Sequence, residues 1–266
     1  MYAFKYQKLS SVADAAAALA KNPDAKLMAG GQTLIASMKL RLAKPSDVLD
    51  LGTVPSLAGV KIDGAGNVTV GAMTRHADVA NNAQVKANIP ALAALAGGIG
   101  DRMVRNMGTV GGSVANNDPA ADYPAAVLGL YAVVTTNKRN IAADGFFRGI
   151  FDTALEPGEV ITEITFHKPK RAAYMKFKNP ASRYALVGVF VADGAQGPRV
   201  AVTGAGPVVF RVPEMEKALA AKFAPESVAN IKVPQSGLNS DIHASAEYRA
   251  HLVTVMAKRA VEAALK

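Results

Sequence analysis

Two short stretches of this 266-residue chain combine a glycine pair with small polar side chains. One is KLMAGGQTL, Lys26 to Leu34; the other is MGTVGGSVANNDPAADYP, Met107 to Pro124. Glycine at a strand end permits positive φ and lets main chain approach a ligand with no Cβ in the way. Successive N–H groups in such a turn form a concavity that binds anions. Phosphate oxygens accept short, charge-assisted hydrogen bonds there. Thr33, Thr109 and Ser113 add hydroxyl donors, and Gln32, Asn116 and Asn117 add amide donors. Two such nests suit a diphosphate better than one phosphate. Asp118 and Asp122 are wrong for phosphate but right for accepting hydrogen bonds from ribose or ribityl hydroxyls. The residues therefore read as a site for a nucleotide with two phosphates, or as two tight structural turns.

The usual nucleotide fingerprints are missing. Gly97-Gly-Ile-Gly100 lacks the third glycine of GxGxxG, and no GxxxxGK[ST] occurs. A dinucleotide bound here requires a fold other than the Rossmann one. The chain has no cysteine, which excludes disulfides, thiolate zinc, a cysteine nucleophile and any iron–sulfur cluster held by Cys on this chain. The four histidines, His76, His167, His243 and His251, are scattered and form no HExxH pattern, so a metal site is not expected. The net charge of +9 comes from dispersed Lys and Arg without an aromatic-interleaved stripe. That pattern fits a solvated basic surface or acidic protein partners and argues against nucleic acid.

Ser10 and Ser11 can cap a helix through Val12 to Ala20. A strand at Lys26–Ala29, a helix at Thr33–Leu42 and a strand at Val48–Leu51 then make a parallel crossover. Gly59–Asp63 and Asn67–Gly71 alternate about a glycine turn as a hairpin. Helices are predicted at 91–96 and 124–130, with a strand at 132–136. Strands follow at 160–166, 174–178, 185–192 and 199–203, then helices at 213–221 and 246–265. Antiparallel strands closed by helices read as a separate α+β unit. The expected division is 1–56, 57–165 and 166–266. Half the residues are apolar, enough for a packed core, and no signal or bilayer-length stretch is evident, so a soluble cytoplasmic protein is expected.

AGGQT (Ala29 to Thr33) and TVGG (Thr109 to Gly112) resemble the paired FAD-binding motifs of the flavoprotein subunit of molybdenum hydroxylases. That family includes the medium subunit of aerobic carbon monoxide dehydrogenase and the FAD domain of xanthine dehydrogenase. Ile99 to Thr109 and Ala115 to Asp122 are similar to it as well, and the likeness covers nearly the whole chain. The resemblance implies a vanillyl-alcohol-oxidase (PCMH)-type α+β fold with a C-terminal α+β domain. It implies non-covalent FAD held by Lys26, Leu27, Met28, Ala29, Gly30, Gly31, Gln32, Thr33 and Leu34 on one side. Gly108, Thr109, Gly111 and Gly112 would close the other, with Asn116 and Asp122 on polar groups of the cofactor. Ile99 would lie near the flavin ring, Val160 and Ile161 at the adenine end or ring edge, and Lys178 beside the flavin. Tyr184 is a candidate shield of the ring. Gln32 and Thr33 stand where the carbon monoxide dehydrogenase pattern commonly has His and Ser. Both keep hydrogen-bonding ability, but the departure weakens carbon monoxide as the substrate.

In the family it resembles, such a subunit does not touch the organic substrate. Electrons arrive from a small [2Fe–2S] subunit, fed by a large molybdenum-cofactor subunit, and leave to an external acceptor. A dimer of heterotrimers is the implied assembly. A self-contained FAD oxidoreductase needs an acid or base over the flavin, for which the chain offers few residues. A non-catalytic docking subunit is the remaining alternative.

Overall fold

A computed structural model describes residues 1–266. Near the N-terminus, β1 (Lys5–Lys8), β2 (Lys26–Met28) and β3 (Asp47–Asp50) pair in the order β1-β3-β2, both pairings parallel. Parallel neighbours need crossovers, which α1 (Val12–Lys21) and α2 (Leu34–Lys39) supply. Ser11 caps α1, its Oγ accepting from the Asp14 N–H at 3.1 Å. α2 is shorter than the helix predicted through Leu42. Arg41 takes φ +60° and the Leu42 N–H turns back to the Ser37 carbonyl at 2.9 Å, a left-handed closure that satisfies an end carbonyl. β1 was not expected, because all four of its residues are exposed and leave no apolar alternation.

The middle of the chain begins with the hairpin β4 (Val60–Ile62) and β5 (Val68–Gly71). Six short helices follow: α3 (His76–Asn81), α4 (Ala83–Asn88), α5 (Pro90–Gly97), α6 (Arg102–Met107), α7 (Val110–Asn116) and α8 (Tyr123–Gly129). β6 (Val133–Thr136), β7 (Asn140–Ala142), the small hairpin β8 (Phe147–Gly149) and β9 (Asp152–Thr153), and β10 (Ile161–Phe166) complete it. The sheet order is β4-β5-β10-β6-β7, antiparallel throughout. Val68, Val70, Val134, Ile164 and Phe166 share a core with Leu92 and Leu95 of α5 and Val127 of α8. α8 is buried on every side, which is why it reads as uniformly apolar; α5 exposes one stripe, Pro90, Ala94 and Gly97, whose residues are themselves uncharged and small. α3, α4 and α6 have six residues each, too few to show a helical period.

The last part is the antiparallel sheet β11 (Arg171–Lys178), β12 (Ala185–Gly194), β13 (Gly197–Thr203) and β14 (Phe210–Arg211), in chain order. α9 (Pro213–Ala221), α10 (Pro225–Ala229) and α11 (Ala246–Ala264) accompany it. β12 is buried on both faces. Val187, Val189 and Val191 pack with Leu252, Val253 and Met256 of α11, while Phe190 and Ala192 join the core of the middle sheet. Phe190 lies on Gly129, where a Cβ would stand 2.8 Å from its ring. β11 is thereby carried past α5. The whole mixes helices with antiparallel sheets and is α+β, as expected.

Candidate functional site

A cavity of about 870 Å³ opens where the N-terminal sheet meets the middle helices. Lys26, Leu27, Ala29, Gly30, Gly31, Gln32, Thr33 and Leu34 line one wall; Gly108, Thr109, Gly111, Gly112 and Asn116 line the opposite one. Val160, Ile161, Ile99, Asp122 and Tyr184 also line it. Of the residues expected at the site, Met28, Asn117 and Lys178 do not. Met28 lies in β2, its sulfur on the Gly31 side of the turn. Lys178 is an exposed residue at the end of β11, although its charge favours ionisation of Asp122.

The first glycine pair closes β2. Gly31 takes φ +69°, a left-handed conformation that glycine adopts without strain. The N–H groups of Ala29, Gly30, Gly31, Gln32, Thr33 and Leu34 donate to no acceptor in the protein. The side chains of Gln32 and Thr33 are likewise unengaged. A run of free amides around a left-handed turn, on a cavity wall, is an anion-binding arrangement. α2 follows directly, with the Ile35 N–H on the Gly31 carbonyl at 3.0 Å.

The second pair is different, and the expectation of two equivalent nests is corrected here. Thr109 is the cap of α7, and Gly111 and Gly112 lie in its first turn. Their amides are engaged: Val110 N–H on the Thr74 carbonyl at 3.0 Å, Gly111 N–H on the Ala72 carbonyl at 2.8 Å, and Gly112 N–H on the Thr109 Oγ1 at 3.1 Å. Gly111 is glycine because a Cβ would stand 2.5 Å from the Ala72 Cβ. A Cβ on Gly112 would come 3.3 Å from the Ala29 Cβ, in the other motif. The second motif is therefore a buttress that lets α7 approach β5 and the first turn closely. Ser113 and Asn116 line the cavity with free side chains, while Asn117 ties the small hairpin through the Gly149 and Asp152 carbonyls at 2.8 Å each.

Asp122 also has partners within the protein. Its carboxylate is buried, ion-paired with Lys176 at 2.9 Å and hydrogen-bonded by the Tyr174 hydroxyl. Burial pushes the carboxyl up, against the opposing pull of Lys176 and Tyr174. Both carboxylate oxygens thus have partners on β11. Tyr184 is half exposed, and its hydroxyl is pushed up by burial and then by Asp118 and Asp122.

Two buried titratable residues on the cavity wall were not expected from sequence. His76 is held down at about 4 by burial and by Arg105, so it is neutral at pH 7. Glu159 is held down at about 2, chiefly by its hydrogen bond with Arg139, and also accepts from the Glu156 N–H and Thr136. It anchors the chain leading into Val160 and Ile161. No spacing pattern marks either residue, since their partners come from distant parts of the chain.

A family model described as the FAD binding domain in molybdopterin dehydrogenase matches residues 2–169, which hold nearly the whole cavity wall. The chain belongs to this family. It is an FAD-binding member of the molybdopterin dehydrogenases and a component of an FAD-dependent oxidoreductase. It is 35% identical to the nicotine 6-hydroxylase medium subunit of Paenarthrobacter nicotinovorans, over 97% of this chain and 96% of that protein. It is 34% identical to the carbon monoxide dehydrogenase medium chain of Hydrogenophaga pseudoflava, over 98% and 96%. A chain in a structure of carbon monoxide dehydrogenase from the latter organism superposes with a TM-score of 0.90 at 34% identity, covering 99% of this chain and 98% of that one. A chain of quinoline 2-oxidoreductase from Pseudomonas putida 86 gives 0.89 at 28%, covering 99% and 97%. The fold is the FAD-binding type that the resemblance implied. No helix is long and apolar enough to cross a membrane.

Proposed function

We propose that this chain is the medium, FAD-carrying subunit of a cytoplasmic molybdenum hydroxylase, taking electrons from a [2Fe–2S] subunit and passing them to an external acceptor. The observation that carries the reading is the unbroken run of free amides from Ala29 to Leu34, facing a wall of small residues across a cavity of about 870 Å³. Pockets of this size hold drug-sized and larger ligands. The donor set suits a diphosphate, and the left-handed Gly31 keeps side chains out of its way. FAD, when bound, supplies the electron-accepting chemistry; the chain supplies binding, orientation and electrostatics.

In this reading the Ala29–Leu34 amides hold the diphosphate, and Gln32 and Thr33 add side-chain donors. Ser113, Asn116 and the free hydroxyl proton of Thr109 meet polar groups from the opposite wall. Ile99 packs against the ring, and the main chain at Val160 and Ile161 takes the cofactor's remaining edge. Without cysteine, the chain obtains electrons from a cluster on another polypeptide. The large molybdenum-cofactor subunit and the small [2Fe–2S] subunit complete a heterotrimer, paired as a dimer, and substrate choice lies on the large subunit. The division at residues 56 and 165 belongs to the same proposal.

Purification with the neighbouring gene products tests it. A complex with flavin absorbance and two partner subunits, in which substrate reduces the flavin only when the cluster-bearing subunit is present, is expected. Flavin reduction by organic substrate with this chain alone would overturn the relay.

A further inference from the structure

Three consecutive main-chain carbonyls at one end of the cavity are gripped by two cations from different parts of the chain. Lys176 of β11 donates from Nζ to the Gly98 carbonyl at 3.0 Å. Arg105 of α6 donates from Nη1 to the carbonyls of Ile99 and Gly100, at 2.9 and 3.1 Å. Gly100 takes φ +48°, turning the chain from α5 into α6. The stretch Gly97-Gly-Ile-Gly100 is thus a pinned turn that sets Ile99 and Gly100 on the cavity wall.

The two cations differ in what they leave over. The charge of Lys176 is largely cancelled by Asp122, its partner at 2.9 Å. Arg105 has only carbonyl partners, and carbonyl dipoles do not neutralise a full charge. Its field reaches the cavity wall, because it helps hold His76 in the neutral form and His76 lines the cavity. Arginine suits the task, since its planar fork can serve two acceptors at once and stays charged when partly covered.

We propose that Arg105 and Lys176 form a two-cation clamp on the Gly98–Gly100 turn, with Arg105 the positioning residue whose unpaired charge makes the bound flavin easier to reduce. The proposal rests on FAD occupying this cavity with its ring at Ile99. Lys176 brings the C-terminal sheet into the clamp. Lys178, expected beside the flavin, lies beyond the cavity wall.

The test uses the FAD-loaded full chain and three forms of it: unaltered, Arg105→Gln and Arg105→Lys. Midpoint potential and amide exchange at residues 99–101 are measured. Arg105→Gln should lower the reduced-to-oxidised ratio at fixed potential about tenfold, roughly 30 mV for a two-electron couple, and speed exchange in the turn. Arg105→Lys should retain most of the potential but still exchange faster, because one ammonium does not reproduce the two-carbonyl fork. An unchanged potential in Arg105→Gln overturns the charge assignment. If that variant does not fold, the lysine variant decides, and a reduced-to-oxidised ratio lowered there by tenfold or more overturns it. Unchanged exchange in both variants overturns the clamp. Failure of the unaltered chain to retain FAD is a separate result that removes the cofactor assignment and this proposal together.

Discussion

Gly30 and Gly108 meet main chain to main chain: a Cβ on Gly30 would stand 2.7 Å from the Gly108 Cα, and closer still to the Met107 carbonyl oxygen. This approach joins the two glycine motifs into one cavity. It also explains why the first motif needs two glycines for two different reasons. Gly31 supplies a left-handed turn, whereas Gly30 supplies the absence of a side chain.

Gly30→Ala should push the motifs apart. The methyl would meet main-chain atoms, which cannot swing away as a side-chain tip can. Overpacking of this kind costs roughly 1–3 kcal/mol. The flavin-to-protein absorbance ratio after gel filtration should collapse, and the melting temperature should fall. A variant that retains FAD at the unaltered ratio would refute the shared-wall geometry.

Gly111 and Gln32 should separate buttress from binding. Gly111→Ala strikes Ala72 and should destabilise the cofactor-free protein by about 1–3 kcal/mol. Gln32→Ala removes a side chain with no partner in the protein, so cofactor-free stability should stay within about 0.5 kcal/mol. FAD dissociation should nevertheless rise several-fold. Thermal melts without FAD, beside titrations with it, read the two effects independently.

His76 makes stability fall with acid before the carboxylates do. Its proton affinity is depressed from 6.5 to about 4 in the fold, so the unfolded chain takes up the proton first. The contribution is complete above about pH 6.5 and is lost as pH falls toward 4, on the order of 3 kcal/mol in all. His76→Gln should flatten denaturant stability across that window. Glu159, with its depressed value of about 2, adds stability present above its ordinary 4.5 and lost below it.

Lys176→Met would leave Asp122 buried without its cation. Breaking a buried pair from one side costs about 3–5 kcal/mol, whereas removing both partners costs far less. The double variant Lys176→Met with Asp122→Asn should therefore be more stable than Lys176→Met alone. Equal stability of the two in urea melts would show that the pair does not couple the C-terminal sheet to α8.

Local rules and a recognisable pair of motifs were enough for much of this protein. The continuous apolar run of β12, the Ser11 cap, the parallel crossover around Gly30-Gly31 and the α+β character are written within a few residues of where they act. The cavity wall was legible for the same reason: AGGQT and TVGG name themselves. What each glycine does was not legible, because Gly111 answers to Ala72 and Gly30 to Met107 and Gly108 across the fold. The partners of Asp122, His76 and Glu159 likewise arrive from other elements, so burial and charge balance exist only once those elements pack. Sequence determined that two small-residue bends would occur. Tertiary packing decided that one offers its amides and the other, its amides already bonded, holds the first in place.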